Sequence, residues 1–96
     1  MQVKAEVWNK NKWIILTNPE KLKDMFSDIL LKAGFSIINF QEHFFKPTGY
    51  TALWLLSESH FAIHTFPEEN KSYIELSSCG REHFCNFLNI LEQYGL

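Results

Sequence analysis

The chain has 96 residues, of which 46% are hydrophobic and 16% aromatic, and its formal net charge is −2. A chain of this length forms a small domain with a marginal core, so we expect two copies to pair as a homodimer. Positive and negative charges are interspersed and no basic patch runs beside the aromatic residues, which excludes nucleic acid as an expected partner. The apolar runs are too short to span a bilayer and no apolar signal core is recognisable, so we expect no membrane contact and a cytoplasmic location.

The two cysteines and the histidines do not form a metal-binding pattern. Cys79 and Cys85 are too few for a disulfide framework, and their spacing to the histidines fits no zinc site. His60 and His64 would share one face of a strand, but the further ligands that a metal needs are missing. We therefore expect no metal.

In chain order, residues 2–8 alternate as an opening strand and residues 13–16 form a short extended piece. Asn18 and Pro19 then mark a helix start, because asparagine caps free N–H groups and proline has no N–H to leave unpaired. Apolar residues recur at helical spacing up to a stop at Gly34. This stripe consists of Leu22, Met25, Phe26, Ile29, Leu30 and Ala33.

Four further strands and a second helix complete the pattern. The strands are predicted at residues 35–46, 51–58, 60–66 and 71–78, with turns at 47–49 and 68–71. The second helix is predicted over residues 81–94 and closes at Gly95. Its inward residues are Phe84, Phe87, Leu88 and Leu91. The whole pattern predicts a single domain over residues 1–96 with an α+β fold, a two-layer sandwich of a mainly antiparallel β-sheet with two helices packed on one face.

The segment from residue 56 to residue 68 carries chemistry with which a chain can cut itself. The hydroxyl of Ser59 directly follows the carbonyl of Glu58, and its attack on that carbonyl converts the amide to an ester. Loss of the serine α-proton, with His64 as the candidate base, then expels the Glu58 carboxylate and leaves a dehydroalanine that hydrolyses to an N-terminal pyruvoyl group. Such a ketone forms a Schiff base with a substrate amine and accepts the electrons released when carbon dioxide departs.

A decarboxylation also needs a proton donor, and Cys79 is the candidate, just before Gly80 at the predicted start of the second helix. Histidine at position 64 suits proton abstraction because its side chain changes charge near neutral pH. Taken one by one, these residues have commoner structural interpretations, since half-buried histidines are usually structural and an isolated cysteine is usually a small core residue. Their order along the chain favours the functional interpretation.

That order resembles the signature of the S-adenosylmethionine decarboxylase proenzymes, a pyruvoyl-dependent family of polyamine synthesis. Its bacterial and archaeal members carry Glu-Ser-His, then His-Thr-(Trp or Phe)-Pro-Glu, and later Cys-Gly. The three motifs stand here at residues 58–60, 64–68 and 79–80. The resemblance implies self-cleavage between Glu58 and Ser59 into residues 1–58 and 59–96, with Ser59 becoming a covalently bound pyruvoyl cofactor.

By the same resemblance, His64 serves processing and Cys79 is the catalytic proton donor. Glu68, four residues after His64, matches the acid that holds the ribose hydroxyls of the substrate. The implied site therefore combines the new chain end with a base, a proton donor and a sugar-binding carboxylate.

The upstream run of residues 43–52 resembles the family's His-x-Phe-x-Pro-x-Gly-x-Ser-Gly segment. Phe45 matches the aromatic residue that stacks on adenine, and Thr51 stands where a serine supports processing. Thr51 and Ala52 replace Ser-Gly, which adds a methyl group at each position. The family usually opens with a Gly-x-His or Gly-x-Glu segment that residues 1–4 lack, so we expect that part of the substrate pocket to be missing.

The sequence thus predicts a self-processing decarboxylase that acts on a small molecule, S-adenosylmethionine, for spermidine synthesis. One alternative is a pyruvoyl-dependent decarboxylase of a basic amino acid, ornithine or arginine, because some short relatives are thought to act on these. The other is a catalytically silent homologue that regulates an active decarboxylase. The intact Glu58–Ser59 pair, with His64 and Cys79, argues against silence, since a silent copy has no chemical need for them.

A geometric condition accompanies this mechanism. Alternate residues of a straight strand share a face, so Ser59 and His64, five positions apart, point to opposite sides unless the chain bends between them. We therefore predict a sharp bend or break near the Glu58–Ser59 bond. Such a bend also agrees with a strained scissile peptide.

Overall fold

The structure is a computed structural model, and it describes residues 5–96. Five strands and two α-helices account for most of this range. The strands are β1 (Trp8–Ile14), β2 (Ile37–Phe44), β3 (Tyr50–Leu56), β4 (Ser59–Phe66) and β5 (Lys71–Ser78). The helices are α1 (Pro19–Lys32) and α2 (Arg81–Gln93), and a 3₁₀ turn over Pro67–Glu69 joins β4 to β5.

The strands form one sheet in the order β1-β5-β4-β3-β2, and every neighbouring pair is antiparallel. Both helices cover the same face of this sheet. The ring of Phe61 on the central strand meets Phe26 of α1 at 4.9 Å and Phe87 of α2 at 5.6 Å between centroids. β3, β4 and β5 alternate fully buried residues with more exposed ones, because their second face has no helix on it. The predicted α+β two-layer sandwich is confirmed.

Helix α1 begins and ends where the sequence predicts. The side-chain oxygen of Asn18 accepts a hydrogen bond from the Lys21 N–H at 3.0 Å, and Pro19 is the first helical residue. The buried residues of α1 pack on the sheet. After the helix, Gly34 turns the chain with a left-handed φ of 102°. Within the described part of the chain, neither helix is long and apolar enough to cross a membrane.

The start of the chain differs from the prediction. β1 pairs unbroken with β5 from Trp8 to Ile14, so residues 5–7 of the predicted strand over residues 2–8 and residues 15–16 of the extended piece over residues 13–16 are not in a strand. Residues 2–4 of the first prediction lie outside the described range. The polar residues between the two predicted pieces are tolerated because β1 is an edge strand with one free side. Residues 1–4, where the altered substrate-pocket segment is expected, lie outside the described range.

The other predicted elements are confirmed with small shifts at their ends. β2 stops at Phe44, because the chain turns over residues 45–49 before it returns as β3. β3 stops at Leu56, two residues before the predicted end, because the next two residues form a tight turn. β4 begins one residue earlier than predicted, at Ser59, because Ser59 pairs with Leu56 across that turn.

Candidate active site

The predicted cleavage bond lies at the tight turn between β3 and β4. Leu56 pairs with Ser59, so Ser57 and Glu58 alone form the loop. Glu58 has a φ of 57°, in the left-handed region that residues other than glycine rarely adopt. The Ser57 N–H donates to the Ser36 carbonyl at 3.3 Å and ties the loop to the chain that precedes β2. The predicted bend is therefore present, and its backbone is strained.

Ser59 and Cys79 come together at one end of the sheet. The register of β4 and β5 pairs Ser59 with Ser78, which places the next residue beside it. The Cys79 N–H donates to the Ser59 Oγ at 3.2 Å. Ser59 is only 8% exposed, whereas Cys79 is exposed. Both line a cavity of about 270 Å³ together with Glu58, which we call the serine cavity.

The remaining predicted site residues form a second group around His64. The register of β3 and β4 pairs Thr51 with His64, and the Thr51 Oγ1 lies 3.0 Å from the His64 Nδ1. Phe45, half exposed after the end of β2, and the exposed Glu68 lie on the same cavity of about 400 Å³, which we call the histidine cavity. The His64 ring also stacks with Tyr73 at 6.5 Å between centroids.

The two cavities are separate within one chain. Ser59 points to the buried, helix-covered side of β4, and His64 points to the open side. Their separation of five residues corresponds to about 16 Å along the strand. The bend precedes Ser59 and does not lie between Ser59 and His64, so it does not bring them together. The side chains of Ser59 and His64 therefore do not meet within one chain, and the role of His64 in processing stays a prediction.

The buried wall of the histidine cavity stays uncharged. Tyr50 lines this cavity, and burial raises the pKa of its phenol, with a further rise from its hydrogen bond to Glu42. The Tyr50 hydroxyl donates to the Glu42 Oε1 at 2.8 Å, and Lys23 pairs with the other oxygen of that carboxylate at 3.3 Å. Glu68 is therefore the carboxylate that this cavity presents.

Among residues 5–96, no group of three or more His, Cys, Asp and Glu side chains is arranged to hold a metal ion.

One residue of the serine cavity was not singled out from the sequence. His83 lies on the first turn of α2 and lines the cavity with Ser59 and Cys79. A residue at the exposed start of a helix usually contacts only water. For this reason the sequence pattern does not predict a functional role for His83. The available signal is its position in the first turn of the second helix, four residues after Cys79.

Comparison with known proteins places this arrangement in a family. A family model described as S-adenosylmethionine decarboxylase matches residues 1–94. The chain belongs to the S-adenosylmethionine decarboxylase family. The residues predicted from the family resemblance line these two cavities.

Two curated relatives show how much of the family's length is present. The chain is 36% identical to the S-adenosylmethionine decarboxylase proenzyme of Syntrophomonas wolfei over 66 residues, which cover 69% of this chain and 52% of the relative. It is 35% identical to the proenzyme of Shouchella clausii over 78 residues, which cover 79% of this chain and 58% of the relative. The chain thus spans little more than half the length of these S-adenosylmethionine decarboxylase relatives.

A solved structure shares the fold. The adenosylmethionine decarboxylase from Aquifex aeolicus superposes with a TM-score of 0.73 at 19% sequence identity, over 91% of this chain and 78% of that chain. At this identity the match shows a common architecture for the two proteins.

Proposed function

We propose that this chain is the proenzyme of a pyruvoyl-dependent decarboxylase that acts on S-adenosylmethionine for polyamine synthesis in the cytoplasm. The observation that carries the proposal is the strained turn at Glu58, which directly precedes Ser59 in a cavity shared with Cys79. The names of the curated relatives support S-adenosylmethionine over a basic amino acid as the substrate.

Processing begins at the turn. The Ser59 Oγ attacks the Glu58 carbonyl, and the ester that replaces the amide relieves the left-handed strain at Glu58. The Cys79 N–H, 3.2 Å from that oxygen, holds the hydroxyl in place. Loss of the Ser59 α-proton then releases residues 1–58 with a free Glu58 carboxylate. Hydrolysis of the new chain end releases ammonia and leaves the pyruvoyl group.

The residues of the serine cavity fit a pyruvoyl group at position 59, because this position faces the cavity directly after the turn. The group supplies a ketone that holds the substrate amine and accepts the electrons of the breaking carbon–carbon bond. The Cys79 thiol donates a proton to the substrate α-carbon after carbon dioxide leaves. In the histidine cavity, the Phe45 ring stacks on adenine and the Glu68 carboxylate accepts hydrogen bonds from the ribose hydroxyls.

A complete site needs a second copy of the chain, because within one copy the serine and histidine cavities lie on different faces and at different ends of β4. The open sheet face exposes Leu53 at 43%, Leu55 at 50% and Trp13 at 51%, and none of the described helices covers it. Burial of this face against a second copy removes apolar surface from water. We therefore propose a homodimer in which the open faces pack so that the sheet end with the serine cavity of one copy meets the sheet end with the histidine cavity of the other, with His64 supporting processing across the interface.

Intact mass of freshly purified protein tests the processing step. We expect two fragments that meet between Glu58 and Ser59, the second without a free N-terminal amine. The Ser59→Ala chain should stay in one piece, because the attacking hydroxyl is gone. A wild-type chain that remains whole, and in which hydrazine traps no carbonyl, contradicts the proposal.

Carbon dioxide release from the processed protein tests the substrate. S-adenosylmethionine should be decarboxylated, and ornithine and arginine should not. Cys79→Ala should lower the turnover of processed protein by about 10²–10⁴-fold, the usual contribution of a positioned proton donor. Release of carbon dioxide from ornithine or arginine alone contradicts the substrate assignment, and processed protein that decarboxylates none of the three is the silent homologue.

Co-expression of two inactive chains tests the shared site. Ser59→Ala supplies an intact histidine cavity, and His64→Ala supplies an intact serine cavity. Each variant alone should remain uncut, whereas their mixed dimer contains one complete site and should cleave the His64→Ala chain. Intact mass distinguishes the two chains. A mixture in which neither chain is cut contradicts the composite site.

A further inference from the structure

We propose that His83 returns the proton that the Cys79 thiol gives up in each turnover. The inference rests on the proposed function, since it assigns the proton supply of the same site. His83 lines the serine cavity with Ser59 and Cys79, and it lies outside the motifs that identify the family. The mechanism described above makes no use of it.

The imidazole of His83 is held in a slot between two glycines. A Cβ added at Gly34 would lie 2.9 Å from the ring Cδ2, and one added at Gly80 would lie 3.5 Å from the ring Nδ1. The ring meets Phe35 nearly edge-on, with centroids 5.2 Å apart. These contacts fix the ring against Gly80, the residue that directly follows Cys79, while the residue as a whole stays exposed.

The surroundings of His83 are mixed in charge. The ionisable groups around it are Glu58 on the turn, Cys79 at the end of β5, and Arg81 and Glu82 on its own helix. Residues 34–36, which form the opposite wall of the cavity, contribute none. Among the described residues, His83 is the imidazole that lines this cavity, because His64 lies on the other side of the sheet.

The proton balance of the reaction requires a proton donor to Cys79, and His83 fills this role. When the Cys79 S–H donates its proton to the substrate α-carbon, a thiolate remains and must regain a proton before the next turnover. The imidazolium of His83 donates an N–H proton, which water in the shared cavity relays to the sulfur, and the imidazole becomes neutral. Water then recharges the imidazole through its exposed edge, which suits histidine because it changes charge near neutral pH. His83 acts through Cys79 and is therefore a positioning residue.

Alkylation of Cys79 in the Ser59→Ala chain tests the proposal without processing or substrate. The rate with iodoacetamide is followed by mass spectrometry across the pH range in which histidine titrates. With His83 present, the neutral imidazole accepts the thiol proton as the sulfur reacts, and we expect Cys79 to react roughly fivefold to tenfold faster at neutral pH than in His83→Gln or His83→Phe. The phenylalanine variant keeps a ring against Phe35, so a purely structural role would leave its profile unchanged.

Cys85 is the internal control, because it is exposed on the same helix but lies two residues from His83 and so on a different face. Its alkylation profile should be the same in all chains. An unchanged Cys79 profile in both variants overturns the proposal, whether or not the wild-type chain is processed or active. If a His83 variant fails to fold, the pH titration of the His83 ring is measured by NMR in the Ser59→Ala chain instead. The midpoint of that titration should shift when Cys79→Ser is added, and an identical midpoint in the two chains overturns the proposal.

Discussion

Glu58 holds backbone strain at the bond that the proposed reaction breaks. Its φ of 57° costs a residue with a side chain about 1–2 kcal/mol. The other non-glycine residue with positive φ in the described chain is Asn70, whose residue type tolerates this conformation well. Glutamate lacks this tolerance, so Glu58 is the strained residue. It directly precedes Ser59, the residue that attacks in the proposed reaction.

Glu58→Gly should release this strain. In the uncut Ser59→Ala chain, we expect the free energy of unfolding, measured in urea, to rise by about 1 kcal/mol. In the chain with Ser59, cleavage should slow, because the amide loses less strain when it becomes an ester. Glu58→Ala is the matched control, since it removes the carboxylate and keeps the strained backbone. Equal cleavage rates for the glycine and alanine variants would show that strain does not drive processing.

Two threonines at the histidine cavity differ in their hydroxyl partners. Thr65 is 7% exposed, and its Oγ1 has no hydrogen-bond partner among the described residues. Thr65→Val removes this buried hydroxyl and keeps the shape, so we expect the free energy of unfolding to rise by about 1 kcal/mol. Thr51→Val is the control, because it removes the 3.0 Å contact with His64 and should slow processing without a gain in stability. A loss of stability in Thr65→Val would contradict the prediction.

At the scale of elements, strand register and helix ends position the site. The β3–β4 register places Thr51 opposite His64, and the β4–β5 register places Cys79 beside Ser59. Helix α1 supports this sheet from the buried side, and its start depends on the Asn18 cap. Local contacts at element ends therefore fix where the reactive side chains stand.

Asn18→Ala should destabilise the fold by about 1 kcal/mol, because it removes the hydrogen bond to the Lys21 N–H at the start of α1. Asn89→Ala is the control, since Asn89 is an exposed residue inside α2 and alanine is a better helix former. Urea denaturation of the uncut Ser59→Ala background measures both changes. Equal stabilities for the two variants would show that the cap contributes nothing.

At the scale of the whole molecule, the sheet has one covered face and one bare face. The helices bury the core on one side, whereas Leu53 and Leu55 remain exposed on the other beside Asn39 and Gln41. A bare face with this much apolar surface typically marks an interaction site. In the proposed dimer, an interface on this face joins the serine and histidine cavities that are separate within one copy.

Leu53→Glu combined with Leu55→Glu should shift the dimer to monomer, because two carboxylates would be buried at the interface. Sedimentation velocity should show the smaller species, and self-cleavage should be lost with the dimer. Leu31→Glu is the control, since Leu31 is 57% exposed on α1, on the helical side. A double variant that stays dimeric would contradict the proposal that this face forms the interface.

Much of the fold could be predicted from local patterns. Residues close together in the chain are sufficient to predict the start of α1 at Asn18–Pro19 and its apolar stripe. The same holds for the turn at the Glu58–Ser59 bond. β1 could not be predicted, because its polar residues form a strand only through pairing with β5 at the edge of the sheet. His83 was missed for a similar reason, since its contacts with Gly34 and Phe35 come from a segment far away along the chain.

The sequence by itself determined the family and predicted the reactive groups, because motif spacing and residue chemistry are properties of the chain alone. Only the tertiary structure decided how those groups are distributed. The pleat of β4 sends Ser59 and His64 to opposite faces of one sheet, and the helices cover only the Ser59 side. The direction of a side chain depends on strand register and on which face is buried, and both are set by pairing between distant segments.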